Sequence, residues 1–227
     1  VLFRVLPFPL VSKERPFLFI GDIMLWKRNI DSNIKTVELR NSPVIIRVNK
    51  FDEKSAQEFA NKIAQAHNTG QKVIPVVIDS YGGQVYSLMS MIASIRNSEL
   101  PIATIVEGKA MSCGVILFSC GDEGYRYITE DATLMVHDVS SVAWGKNSEI
   151  QASAEEVKRL NDKIYKILSK NSNKSEKWFN KKLNDKGRSD WFIDAKEAIE
   201  IGLADKIGMP KLEMKIKLEI DLQQEVT

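Results

Sequence analysis

The chain has 227 residues, enough for one sizeable core with appendages. Its 44% hydrophobic and 27% charged residues are ordinary for a globular protein. The 32 basic side chains against 30 acidic ones leave a net charge of +2, which argues against a dedicated nucleic-acid binder. No apolar run reaches the ~20 residues of a membrane-spanning helix, so no membrane association is expected. The opening residues lack the basic start and small-residue cleavage site of a secretory signal. Cys113 and Cys120 fall on one predicted helix, with Cα atoms ~10.5 Å apart at the helical rise, too far for a disulfide. A reducing, cytoplasmic compartment is therefore expected, and with so few Cys and His neither a zinc site nor a cofactor is.

Residues 1–42 read as an accessory region. Pro7, Pro9 and Pro16 oppose a helix there. Residues 17–20 and 36–39 are strand candidates joined by a polar stretch with Asn29, Asp31, Ser32 and Asn33, and the expectation is a hairpin. The core starts at a buried strand over 43–48. Asp52 can cap the next helix, whose apolar face is Ala56, Phe59, Ile63 and Ala66. Asn68-Thr-Gly70 ends it. His67, in its last turn, is expected to face solvent near the negative helix end.

A second strand over 73–78 leads into the turn Asp79-Ser-Tyr-Gly-Gly83. The helix after it directs Val85, Leu88, Met89, Ile92 and Ile95 inward. Strand, Gly-Gly turn, helix, strand is the syntax of a parallel α/β sheet with right-handed crossovers. Ligands of such sheets sit beyond the carboxyl ends of the strands, where this turn lies.

A strand over 102–107 then feeds a small-residue turn, and Ser112 heads an apolar helix running to about Cys120. Ser112 has two readings. It caps a buried helix, or its hydroxyl is a nucleophile beside free amides that can hold a developing negative charge. Short strands over 125–128 and 133–137 follow. His137 ends the second, facing the crevice of the other strand ends, and is the credible general base for Ser112. The alternative is a buried, hydrogen-bonded histidine.

Residues 138–147 form a polar excursion. Ser148-Glu-Ile-Gln151 has the capping-box pattern and opens the longest helix. There Ile150, Ala154, Val157, Leu160, Ile164 and Leu168 make one apolar stripe, suited to a partner subunit or to the chain's own domain. A basic polar linker is expected over 180–189. Asp190 precedes an apolar pair that can orient its carboxylate, and Asp194 caps a helix over 195–202. In the tail, residues 208–227, Leu212, Met214, Ile216, Leu218 and Ile220 alternate as in a strand with one wet face.

Ser112, His137 and Asp190, in that order and with Gly82-Gly83 upstream, resemble the proteolytic subunit of the Clp protease family, in a divergent or viral form. The resemblance covers roughly residues 43–207. It rests on Asp79-Ser-Tyr-Gly-Gly83, Ala110-Met-Ser-Cys-Gly114, Leu134-Met-Val-His137 and the run from Asp190 to Asp205. It implies an α/β fold of the ClpP/crotonase type, with stacked ββα units and a protruding handle helix at 148–170. Residues 1–42 and 208–227 lie outside its pattern.

By that resemblance Ser112 is the nucleophile of a serine endopeptidase, His137 its base and Asp190 the orienting acid. Gly83 and Cys113 supply the oxyanion-hole amides. The substrate implied is a peptide or unfolded protein, cleaved inside a self-compartmentalised homo-oligomeric ring, a heptamer or double ring. An AAA+ unfoldase partner is also implied, although residues 73–78 lack the aromatics of the family's docking pocket. Further departures are Ser-Tyr-Gly-Gly for Ser-Pro-Gly-Gly, Cys113 for Met, and His137-Asp-Val for His-Gln-Pro. Asp138 is a rival orienter, but strand alternation points its side chain to the other face, which favours Asp190. Other readings are a catalytically silent structural or regulatory subunit, a signal-peptide-peptidase relative with a Ser–Lys dyad, and a crotonase-type acyl-CoA enzyme.

Overall fold

The computed structural model describes residues 43–185, 187 and 190–211, with the backbone of four strand segments in the N-terminal region. Those four are β1 (Arg4–Val5), β2 (Phe17–Ile20), β3 (Ile23–Trp26) and β4 (Val37–Leu39), paired antiparallel in the order β1-β2-β3-β4. The expected hairpin partner of residues 17–20 is thus corrected. β2 pairs with β3, and β4 lies on β3's other side. The run that makes β3 is four apolar residues, too short for a period to mark it as a separate strand.

The main sheet contains β5 (Ile46–Val48), β6 (Ile74–Ser80), β7 (Ile102–Met111), β8 (Arg126–Ile128), β9 (Thr133–Val136), β10 (Trp191–Ile193) and β11 (Lys206–Ile207). Its path is β10-β9-β7-β6-β5. Long β7 carries two parallel neighbours in succession: β8 alongside Thr104–Val106 and β9 alongside Lys109–Met111. β11 pairs parallel with β8, and β10 pairs antiparallel with β9. The expected turn before Ser112 is therefore strand. β7 runs through Gly108 and Lys109 to Met111, because β9 supplies a second ladder just where β8 ends.

Helix α1 (Glu53–His67) begins as expected, with Asp52 Oδ1 accepting the Ser55 amide at 2.7 Å. It buries Ala56, Phe59, Ile63 and Ala66. In α2 (Val85–Arg96) the deep methionine is Met91 rather than Met89, which is only partly buried against the core. α3 (Cys113–Ser119) is buried along its whole length, and Gly114 packs where a Cβ would lie 3.4 Å from the Ser80 carbonyl.

α4 (Asn147–Lys170) starts one residue before the expected Ser148. Glu149 Oε2 accepts the Lys146 amide at 3.0 Å, but the lysine side chain has no acceptor to return the bond, so only half of the expected capping box forms. The apolar stripe of α4 divides. Leu160, Ile164 and Leu168 are buried, whereas Ile150 and Ala154 are exposed. The expected linker at 180–189 is largely helix, since α5 (Glu176–Asp185) buries Phe179 and Leu183 one turn apart. Two apolar positions among lysines give a weak periodic signal, yet Phe179 stacks with Trp178 and Trp191 into an aromatic cluster beneath β10. Finally α6 (Ala195–Glu200) is capped by Asp194, whose Oδ1 accepts the Glu197 amide at 2.8 Å. The alternating strand expected over 212–220 lies outside the described residues.

Arg126 locks the far side of this core. It is 8% exposed. Its Nε and Nη2 engage Asp205 at 2.9 and 2.5 Å, and Nη1 donates to the carbonyls of Asn171 and Gly202. Burial pushes the Asp205 carboxyl upward. The Arg126 guanidinium and the amides of Arg126 and Gly124 outweigh it and hold the carboxyl below its ordinary value. The helix at the C-terminal side of the chain is thereby tied to β8.

Candidate active site

Three parallel strands end at one place. Gly82 and Gly83 follow β6, Ser112 follows β7 and His137 follows β9. Such carboxyl ends are where α/β sheets hold ligands. Gly83, Ser112, Cys113 and His137 line a shared cavity of about 60 Å³, together with Val85, Ile116, Val136, Val139 and Ile164.

The backbone of Ser112 is unusual. At φ 54° and ψ −118° it is the only non-glycine residue with positive φ among the described residues. Such a conformation costs ~1–3 kcal/mol and persists only where the surroundings impose it. Its amide donates to the Met135 carbonyl at 2.9 Å, which fixes the turn against β9. Ser112 stands at the N-cap of α3, yet its side chain makes no capping hydrogen bond. The helix-cap reading of Ser112 therefore fails.

Gly82 explains how β6 and β7 come together here. Its φ is +108°, and a Cβ at this position would lie 2.7 Å from Ser112 Cβ and 3.1 Å from Ser112 Oγ. Only a bare backbone fits there. The Ser80 hydroxyl braces the turn by accepting the Gly82 amide at 3.1 Å.

Cys113 opens α3, so its amide has no intrahelical acceptor. The Gly83 amide takes no backbone acceptor among the described residues. The Cys113 thiol donates to the Gly83 carbonyl at 3.3 Å, tying the two segments together. Burial pushes that thiol up to about 11, so it is a packing group and not a reactive one.

The carboxylate expected as third member, Asp190, is less closely gathered. Trp191 pairs with Val136 and Phe192 with Met135. Asp190 is thus the residue just before the first pair of this ladder, and His137 the residue just after it on the facing strand. Asp190 is exposed, and it is not among the residues lining the cavity. No hydrogen bond joins His137 to Asp190, or to any other described residue.

Asp138, by contrast, does line the cavity. The expectation that alternation would turn it to the other face is corrected, because β9 ends at Val136 and the pleat no longer governs residue 138. The Tyr165 hydroxyl donates to its carboxylate, and Asn161 Oδ1 accepts the next amide, Val139, at 2.7 Å. Sequence reading overlooked Tyr165 and Asn161. Their signal was a polar pair four residues apart, set beside Ile164 and Leu168 on the buried side of α4.

Among the described residues no helix is long and apolar enough to cross a membrane, and no cluster of His, Cys, Asp or Glu is arranged to hold a metal ion.

The Clp protease family profile matches residues 29–211. The ATP-dependent Clp protease proteolytic subunit of Deinococcus radiodurans is 31% identical over 137 residues, which cover 60% of this chain and 65% of that protein. The match thus spans slightly less than two thirds of the curated relative's length. The mixed sheet and its helices agree with the ClpP/crotonase-type α/β fold. On the strength of a family match across most of its length, the chain belongs to the Clp protease family.

Proposed function

We propose that this chain is a serine endopeptidase in which Ser112 attacks the peptide carbonyl, His137 takes its proton and Asp190 orients the imidazole. The observation that carries the reading is Ser112 itself. Its backbone is held at positive φ, its hydroxyl does not cap α3, and it shares a cavity with one of the chain's two histidines. A serine hydroxyl is a weak nucleophile without a base in reach. The imidazole in turn needs a carboxylate to select its tautomer and to stabilise the imidazolium. Asp190 is favoured because it directly precedes β10, the strand paired with β9, whereas the Asp138 carboxylate is engaged by Tyr165. The amides of Gly83 and Cys113 receive the oxyanion, each donor worth ~3–4 kcal/mol. Water then cleaves the acyl-enzyme. The open contacts around His137 suit a resting chain, since catalytic hydrogen bonds tighten when substrate binds.

The substrates are peptides or unfolded polypeptides, and the working form is a homo-oligomeric ring. The exposed half of α4, with Ile150 43% exposed, supplies an unpaired apolar edge for assembly. Hydrolysis of unfolded casein and of short fluorogenic peptides, measured beside particle mass, tests the proposal. Activity in the wild type that disappears in Ser112→Ala, with particle mass unchanged, is the expected result. Assembled particles that cleave neither substrate would favour a silent structural subunit instead.

A further inference from the structure

The buried half of α4 reaches the site. Ile164 lines the cavity, and two neighbouring side chains on the same helix hold the chain just past His137. Asn161 Oδ1 accepts the Val139 amide at 2.7 Å. One turn further on, Tyr165 donates its hydroxyl to the Asp138 carboxylate. Tyr165 is 2% exposed, so its ring is packed and the direction of its hydroxyl is fixed. On the other side of His137 the sheet ends. Ser112 N–H bonds Met135 O at 2.9 Å, and the pairing of β10 runs out at Val136. His137 therefore hangs between the last rung of a ladder and the first of two tethers. Its imidazole makes no hydrogen bond to a described residue that could fix it independently.

We propose that Tyr165, acting through Asp138, is a positioning residue that sets the His137 imidazole against Ser112, with Asn161 as a second clamp. The inference rests on the reading of Ser112 and His137 as nucleophile and base. Asp138 on this view is a structural acceptor and not the orienting acid. What matters is that residue 138 accepts the phenol, not that it carries charge. Misplacing a base by an ångström or so is enough to lower turnover ~100-fold, even though nothing that touches the substrate has changed.

Substitutions at the two residues separate these roles. Tyr165→Phe deletes one oxygen and leaves the ring in place. It should lower kcat about 10- to 100-fold while KM stays near the wild-type value. Asp138→Ala should fall by the same factor. Asp138→Asn, whose amide oxygen still accepts the phenol, should stay within about threefold of wild type, and Tyr165→Phe combined with Asp138→Ala should be no worse than either alone. If Asp138→Asn is as impaired as Asp138→Ala, the carboxylate charge acts on the imidazole directly and the positioning role of Tyr165 is overturned. Unchanged kcat in Tyr165→Phe overturns it too.

A second readout does not depend on activity. Carbethoxylation of the assembled protein, followed by peptide mass mapping, reports His137 with His67 as internal reference. A raised ratio of His137 to His67 modification in Tyr165→Phe supports the tether, and an unchanged ratio overturns it. This holds even if the wild type shows no turnover dependent on Ser112, an outcome that would remove the nucleophile reading alone.

Discussion

The chain's two histidines lie in regions built on opposite rules. At the end of α1, His67 is fully used. Its Nδ1 meets the Ile63 carbonyl at 2.7 Å, and its Nε2 accepts the Glu99 amide at 3.2 Å. That pair of contacts fixes one tautomer, with the proton on Nδ1. The expected solvent-facing histidine is thus a half-buried staple between α1 and the loop before β7. At the end of β9, His137 has no such partners among the described residues and faces a cavity beside a strained serine. Where the fold needs stability, both ring nitrogens are satisfied. Where chemistry is proposed, the nitrogens are left for the substrate and its proton.

Breaking the second region should show in rate and not in stability. His137→Ala is expected to lower peptidase turnover ~10³–10⁴-fold, as loss of a triad base does. Its melting temperature should stay within a few degrees of wild type, because the ring has no hydrogen bond to a described residue to lose. Calorimetry and a fluorogenic assay on the same sample check both halves. A large drop in melting temperature would place His137 in the class of His67.

A saturated polar group, the Arg126 guanidinium, sharpens the contrast from the other side. Arg126→Met leaves the partly buried Asp205 carboxylate with only the amides of Gly124 and residue 126 and should cost about 2–3 kcal/mol in denaturant unfolding. The pH dependence has a definite sign. The folded carboxyl of Asp205 is held below its ordinary value, so its contribution is complete above the unfolded pKa of about 3.9 and is lost as pH falls through the folded value. In acid unfolding, Asp205→Asn should therefore lose part of the wild-type decline below about pH 4.

His67→Ala, the mirror experiment to His137→Ala, should cost about 1–2 kcal/mol of stability for its lost hydrogen bonds. Peptidase rate measured well below the melting temperature should be unchanged. The smallest effect concerns the thiols. Burial pushes Cys113 and Cys120 each up to about 11. Iodoacetamide at pH 8 should label neither in the native protein and both in denaturant, read by intact mass.

The architecture was largely legible because local signals agreed with one another. Buried strands, the Gly82-Gly83 turn, the Asp52 and Asp194 caps and the apolar period of α1 all point to one mainly parallel sheet, though not to its antiparallel edge strand β10. The site was legible only at its strand ends. Ser112 and His137 could be picked out as residue types after apolar runs. The positive φ of Ser112 could not, since the turn that holds it is fixed by a bond to Met135 and packs against the bare backbone of Gly82, both distant along the chain. Asp138 defeated the alternation rule because that rule ends with the pleat at Val136. Tyr165 and Asn161 were hidden by distance along the chain, as their partners are 27 and 22 residues away. α5 was missed because its burial depends on a cluster with Trp191 that no local window contains.

Reaction with a fluorophosphonate, followed by mass mapping of the modified peptide, tests the role of Ser112 most directly. A single phosphonyl adduct on Ser112, absent from Ser112→Ala and strongly slowed in His137→Ala, is the expected result. An adduct on some other residue, or equal labelling of wild type and Ser112→Ala, would contradict it.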